Sequence, residues 1–174
     1  ERMLRHFRVD VNIATGNDGT RISVDGAAPL KARDIDVPGD ISSAAFLLVA
    51  AACLPGSKLR LLNVGVNATR SAIVDVLKSF GVNITIENLR ESGGEPIADL
   101  YVSGGLNSQQ AENVIRGKVI ANLIDEIPIL AILGTQLENG LEVRDAAELR
   151  VKESDRIAAV ADNLRRMNAE IEEF

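Results

Sequence analysis

From residue 41 to residue 54 the chain is apolar at every position except Ser42 and Ser43. Asp40 precedes this run as a natural N-cap and Pro55-Gly56 stops it, so the pattern predicts a helix buried on most of its circumference. Residues 127–133 repeat the character, with Pro128 at the first helical position, where its missing N–H costs nothing. Other segments are apolar on one side only. Ile73, Val76, Leu77 and Phe80 stand at i, i+3, i+4 and i+7 and predict an amphipathic helix, capped by Thr69 and ended at Gly81. Ile157, Val160, Ala161, Leu164 and Met167 do the same behind Ser154 or Asp155. Alternation predicts strands at 9–14 and 20–24, joined through Gly16-Asn17-Asp18-Gly19. Further strands are expected at 58–64, 82–86, 97–102 and 141–144, with another starting at 169–172 and a polar turn over 91–96.

The order buried helix, strand, amphipathic helix, strand comes round again. Gly56-Ser57-Lys58-Leu59 aligns with Gly140-Leu141-Glu142, and Leu77 with Leu164, a repeat of about 84–87 residues. Residues 3–11 resemble 76–84 and read as the tail of an earlier copy. The expected fold class is α/β (α+β): repeated βαβαββ units packed around buried parallel helices, with 41–54 and 127–136 the most buried elements. The chain opens without Met in a helix-like stretch and ends at Glu172-Glu173-Phe174 in an expected strand, so it reads as an internal fragment of a longer cytoplasmic protein.

Composition narrows the function. Over 174 residues the net charge is −6, which supplies no bulk positive field for nucleic acid or an anionic membrane. With 3% aromatic residues and no Trp, base-stacking platforms are not expected. The single histidine, His6, excludes a His-based metal triad, and the single cysteine, Cys53, excludes an internal disulfide and reads as a buried inert thiol. The longest apolar run, 44–54, is too short to span a bilayer.

Two places can carry chemistry. Glu148-Leu149-Arg150-Val151-Lys152-Glu153-Ser154-Asp155-Arg156 is dense in both charges at a strand-to-helix junction. It reads either as a self-paired surface loop, or as Lys152 and Arg156 binding an anion beside a helix N-terminus while Glu153 moves a proton. A phosphate about 4 Å from one such cation gains about 4 kcal/mol at an effective dielectric near 20. In Ile124-Asp125-Glu126-Ile127-Pro128 two carboxylates head a buried helix, either as cap and dipole partner or as acceptor of a substrate hydroxyl proton. Gly39-Asp40-Ile41-Ser42-Ser43 and Asn67-Ala68-Thr69-Arg70 are explained by helix capping.

These motifs resemble the enolpyruvylshikimate-phosphate synthase family, also called 3-phosphoshikimate 1-carboxyvinyltransferase. The most specific stretch is residues 144–157, RDAAELRVKESDRI, followed by PGDISSAA at 38–45 and LIDEIPILA at 123–131. Gly94-Glu95-Pro96-Ile97-Ala98-Asp99 and the opening Glu1-Arg2-Met3-Leu4 support it. The resemblance implies a two-domain enzyme of six βαβαββ units, in which residues 1–37 are the tail of a unit of the first domain and 38–174 a partial second domain of about two units. It implies enolpyruvyl transfer from phosphoenolpyruvate to shikimate 3-phosphate in aromatic amino acid biosynthesis, without metal or cofactor, in the cytoplasm. By motif, Asp125 holds the shikimate hydroxyl and acts as base, Lys152 reaches the same hydroxyl, Glu153 relays a proton at the methylene carbon, and Arg156 binds phosphoenolpyruvate. The family's Pro at position 68 is Ala here, and where some members have Asn at position 148 this chain has Glu148, so no role is carried to Glu148. The other substrate-binding residues must come from the rest of the same chain, and the fragment is expected to be inactive alone. Two alternatives stand beside this: a UDP-sugar enolpyruvyl transferase of the same fold, and a non-catalytic domain binding an anion or a protein partner.

Overall fold

The computed structural model describes residues 1–106 and 113–174. The chain opens with a short helix, α1 (Arg2–His6), and a hairpin, β1 (Val11–Gly16) and β2 (Gly19–Val24), whose side chains are exposed except for Val11. Lys31 N–H donates to the Phe7 carbonyl at 3.0 Å, returning the following segment to α1.

The apolar core begins at Ile41. α2 (Ile41–Cys53) starts at Asp40, whose carboxylate accepts from the Ser43 N–H at 2.7 Å and the Ser43 hydroxyl at 2.8 Å. Then follow β3 (Lys58–Gly65), α3 (Ala72–Ser79), β4 (Asn83–Ser92) and β5 (Glu95–Ser103), with strand order β3-β5-β4 and antiparallel neighbours. Gly39, just before α2, makes a parallel bridge with Val64. The path from Gly39 to Ser103 is therefore one βαβαββ pattern. A second copy starts with β6 (Val114–Ile115), passes a 3₁₀ turn at Gly117–Asn122, and continues through α4 (Ile127–Gly134) to β7 (Glu142–Val143), which pairs parallel with β6. A second 3₁₀ turn, Ala147–Arg150, leads into α5 (Arg156–Arg166). α2 packs on α4, and Leu48, Leu77, Leu100, Leu123, Leu130 and Leu133 are fully enclosed in one cluster. Gly134 permits the close return of β7, because a methyl there would lie 2.7 Å from the Leu141 Cβ.

Asp99 on the central strand fixes irregularities on both sides of it. β3 shifts register between Leu61 and Val64 and β4 between Glu87 and Arg90, and each shift holds an asparagine at positive φ, Asn63 (56°) and Asn88 (52°). The nearly buried Asp99 carboxylate accepts from the Asn63 N–H at 2.9 Å, the Asn88 amide at 2.9 Å and Arg60 at 3.1 Å.

The structure departs from the sequence pattern in five places. α2 is not buried all round: Phe46 (56% exposed), Leu47 (51%) and Leu54 (61%) form with Ala50 an outward apolar stripe. Its other side meets β3, β5, α3 and α4, so apolarity reports that a face is fit for burial and not what is there to bury it. The β4–β5 hairpin runs on through residues 87–92, polar except for the exposed Leu89, to a turn at Gly93-Gly94, since backbone pairing continues without core side chains. Thr69 does not cap α3: the Asn67 carboxamide oxygen accepts from the Thr69 N–H at 3.2 Å and the Asn67 carbonyl from Arg70 and Ser71 at 2.8 and 2.9 Å, so an Asx turn leads into the helix. Residues 169–172 form no strand, having no ladder partner among the described residues. Cys53 is only partly buried, and that burial pushes its thiol up from the ordinary value.

The α2 cap gives a pH-dependent stability. The hydrogen bond from the Ser43 side chain holds the Asp40 carboxyl below its ordinary value, partial burial acting against it. A lowered folded value means that the contribution is present above the unfolded carboxylate range and is lost as pH falls through the folded one. Asp40→Ala is expected to destabilise the chain by about 1 kcal/mol at pH 7. Urea denaturation at pH 7 and below about pH 3 checks this, with the two proteins converging at the acid end.

Candidate active site

Four helix starts meet around one carboxylate. Asp125 lies just before α4, beside Glu126 at the N-cap position. Its Oδ2 accepts from both terminal nitrogens of Arg70 at 3.4 Å, and its Oδ1 accepts from Arg156 Nη1 at 3.2 Å. Arg70 is placed by the Asn67 turn that enters α3, and Arg156 is the first residue of α5. Arg70 Nη2 also donates to the Ser42 hydroxyl at 3.0 Å, at the head of α2. Ser42 in turn donates to Glu126 Oε1 at 2.5 Å, where Glu126 is almost fully buried. Helix starts carry partial positive charge, so their convergence favours anionic groups at this end of the core.

Arg156 is also the link to Glu153, its Nη2 donating to Oε2 at 2.5 Å. That hydrogen bond, with a further one to Asp125, pushes the guanidinium up. Glu153 is held below the ordinary carboxylate value by its own backbone N–H first and by Arg156 second, so it stands as an ionised acceptor at 77% exposure. Lys152 pairs with Glu148 at 2.6 Å, and this hydrogen bond pushes its ammonium up, the charges of Glu148 and Asp125 adding to the effect. Asp155 caps α5 by accepting from the Ala158 N–H at 2.9 Å, and Arg150 reaches it at 3.0 Å.

Asp125, Glu153 and Arg156 thus form one hydrogen-bonded group, while Lys152 stands next to it on its own partner. Pairing within the charge run is what a surface loop would show; the reach of Arg156 to Asp125 is what such a loop would not. The structure adds Ser42, Arg70 and Glu126 to the group. Capping geometry had absorbed the first two, although Asp40 alone performs that capping on α2. A signal was present, since Ser42 and Glu126 head the two repeated buried helices.

Charge balance sets a limit. The carboxylates Asp125, Glu126, Glu148 and Glu153 outnumber the cations Arg70, Lys152 and Arg156, so this cluster alone does not attract a phosphate dianion. A cleft of about 660 Å³ opens beside it between α4, β7, α5 and residues 170–174, and of these residues only Arg156 lines it. Among the described residues no three His, Cys, Asp or Glu side chains are grouped to hold a metal ion, and no helix is long and apolar enough to cross a membrane.

A βαβαββ unit repeated around packed helices, with carboxylates and guanidinium groups gathered at the helix starts, defines an enolpyruvyl transferase-like α/β fold. A solved EPSP synthase from Acinetobacter baumannii superposes with a TM-score of 0.80 at 42% identity, over 94% of this chain and 36% of that one. The chain matches the EPSP synthase (3-phosphoshikimate 1-carboxyvinyltransferase) family over residues 1–174 and belongs to that family. The 3-phosphoshikimate 1-carboxyvinyltransferase of Thermosynechococcus vestitus is 53% identical over all of this chain, and that of Bacillus pumilus 48% identical over 99% of it. The chain spans 38% and 39% of the length of these two relatives.

Proposed function

We propose that this chain is the section of a 3-phosphoshikimate 1-carboxyvinyltransferase that supplies one wall of its substrate cleft. The enzyme transfers the enolpyruvyl group of phosphoenolpyruvate to a ring hydroxyl of shikimate 3-phosphate and releases phosphate. The observation that carries the reading is Arg156, which joins Asp125 and Glu153 from different helix starts. Addition needs a base for the attacking hydroxyl and an acid for the methylene carbon. Elimination takes one proton back from the new methyl group as the C–O bond to phosphate breaks, and the former hydroxyl proton leaves with the phosphate or to water. Asp125 accepts the hydroxyl proton, with Lys152 beside it. Glu153 carries the proton at the methylene carbon, and Arg156 binds the phosphoenolpyruvate anion. Glu153 is held below the ordinary carboxylate value by its own backbone N–H and then by Arg156. Transfer of that guanidinium to the incoming anion therefore removes the second hold and raises the proton affinity of Glu153 at the moment it must become an acid.

The domain reading belongs to the same proposal. Residues 1–37 are the tail of a first-domain unit and 38–174 begin the second domain, a division supported by a core cluster that starts at Ile41 and by Val37 at 80% exposure. The remaining cations that an anionic substrate pair requires come from the rest of the chain. The protein works in the cytoplasm on these two small molecules, without nucleic acid, membrane or cofactor.

Phosphate release measured with both substrates tests the reading. The full-length protein should turn over at about 1 per second or faster and only when both are present. The 174-residue chain alone should show none, because positioning two reactants contributes about 7–11 kcal/mol that one wall does not supply. A full-length protein that releases no phosphate refutes the assignment.

A further inference from the structure

We propose that Arg70 is a positioning residue for Asp125: from the Asn67 turn it grips Asp125 Oδ2 and, through Ser42, the buried Glu126, so that the carboxylate keeps its orientation when Arg156 turns to an anionic substrate. This rests on the reading of Asp125 as the base.

The two oxygens of Asp125 are divided between two guanidinium groups. Arg156 holds Oδ1 at 3.2 Å and Arg70 holds Oδ2 at 3.4 Å from each terminal nitrogen. Arg156 has a competing task, since it already shares its other nitrogen with Glu153 and is the cation offered to phosphoenolpyruvate. Arg70 is anchored differently. Its Nη2 also donates to Ser42 at 3.0 Å, and Ser42 is tied to Glu126 at 2.5 Å. Glu126 is only 2% exposed and its backbone opens α4, so this tether runs into the core. One planar group with several fixed donors thus spans the heads of α2 and α4, a task for which a lysine ammonium is poorly shaped. The Asn67 turn sets where Arg70 leaves the backbone, with the Arg70 N–H on the Asn67 carbonyl at 2.8 Å.

The charged groups around Asp125 are Arg70 from the α3 turn, Arg156, Lys152 and Glu153 from the segment entering α5, Glu126 on its own helix, and Asp40 at the head of α2 within the field of Arg70. With Arg156 and Lys152 engaged by substrate anions, Arg70 is the cation left to hold Asp125 in place, and its removal leaves the carboxylate free to turn.

The test uses the full-length protein with Arg70→Gln, Arg70→Lys and Ser42→Ala, assayed by phosphate release at varied concentrations of each substrate. Arg70→Gln should lower kcat about tenfold. KM for phosphoenolpyruvate should stay within about twofold. Arg70→Lys should restore part of kcat, and Ser42→Ala should lower kcat without raising KM for phosphoenolpyruvate. A half-exposed Arg70 leaves folding intact, and unchanged thermal unfolding in Arg70→Gln separates positioning from loss of structure. An Arg70→Gln protein with unchanged kcat, or one in which only a KM rises, overturns this inference and leaves the synthase reading standing. Absence of turnover in the unaltered full-length protein removes the synthase reading itself.

Discussion

Replacing Glu153 with alanine in the full-length protein should lower kcat by about 10²–10⁴-fold, the ordinary yield of a positioned acid–base group. KM for shikimate 3-phosphate should change little, because the side chain is 77% exposed and bonded to Arg156, with its proposed task at the methylene carbon of the other substrate. Asp125→Ala should differ in kind. It removes the proposed hydroxyl acceptor and frees both Arg70 and Arg156, so kcat should fall and shikimate 3-phosphate should bind more weakly. Arg156→Ala should raise KM for phosphoenolpyruvate most, and it should also release Glu153 from its ion pair. Steady-state kinetics of the three variants distinguish these patterns. If Glu153→Ala keeps turnover within about threefold, Glu153 has no part in the proton transfers.

The largest effect on stability is expected at Leu130. This side chain is 0% exposed on a helix of only 8 residues, so Leu130→Ala leaves a cavity that two turns of helix cannot close. The expected loss is about 2–5 kcal/mol. Ile132 lies on the same helix at 43% exposure, and Ile132→Ala should cost about 1 kcal/mol or less. Urea denaturation of the pair compares them with helix propensity and position held nearly constant. Equal losses would mean that α4 is not anchored through Leu130. The variant also bears on the site, because Asp125 and Glu126 stand at the start of α4 and Leu130 belongs to the core cluster that α4 shares with α2.

Much of this fold was legible because local rules and packing agree over most of it. The apolar runs behind Asp40 and ahead of Pro55, and from Ile127 to Leu133, became α2 and α4. The βαβαββ order followed from alternation and periodicity, and the family from the motifs around Asp125 and Lys152. What escaped was set by contacts distant in sequence. Phe46 and Leu47 look like Leu48 in the one-dimensional pattern, yet only Leu48 has α4 and the sheet beside it. Residues 87–92 carry no apolar rhythm, and only their pairing with β5 makes them strand. Arg70 reads as part of a capped turn until α4 is brought within 3.4 Å of it. In the same way Ser42 and Glu126 stand at equivalent helix starts in the repeat, but only the packing of α2 on α4 makes them hydrogen-bond partners.

The two copies of the unit should keep different time. In the first, β5 is flanked by β3 and β4, with Ala98, Leu100 and Val102 at 0% exposure, so amide hydrogens there exchange only when the whole chain opens. In the second, β6 and β7 pair over two residues each, and residues 151–155 between them and α5 belong to no ladder or helix, so their amides exchange through small local openings. α4 is packed on the slow copy through α2, whereas Lys152 and Glu153 belong to the fast one. Asp125 should therefore stand at the head of a helix that opens rarely, whereas Lys152 and Glu153 should sit on backbone that opens locally and more often.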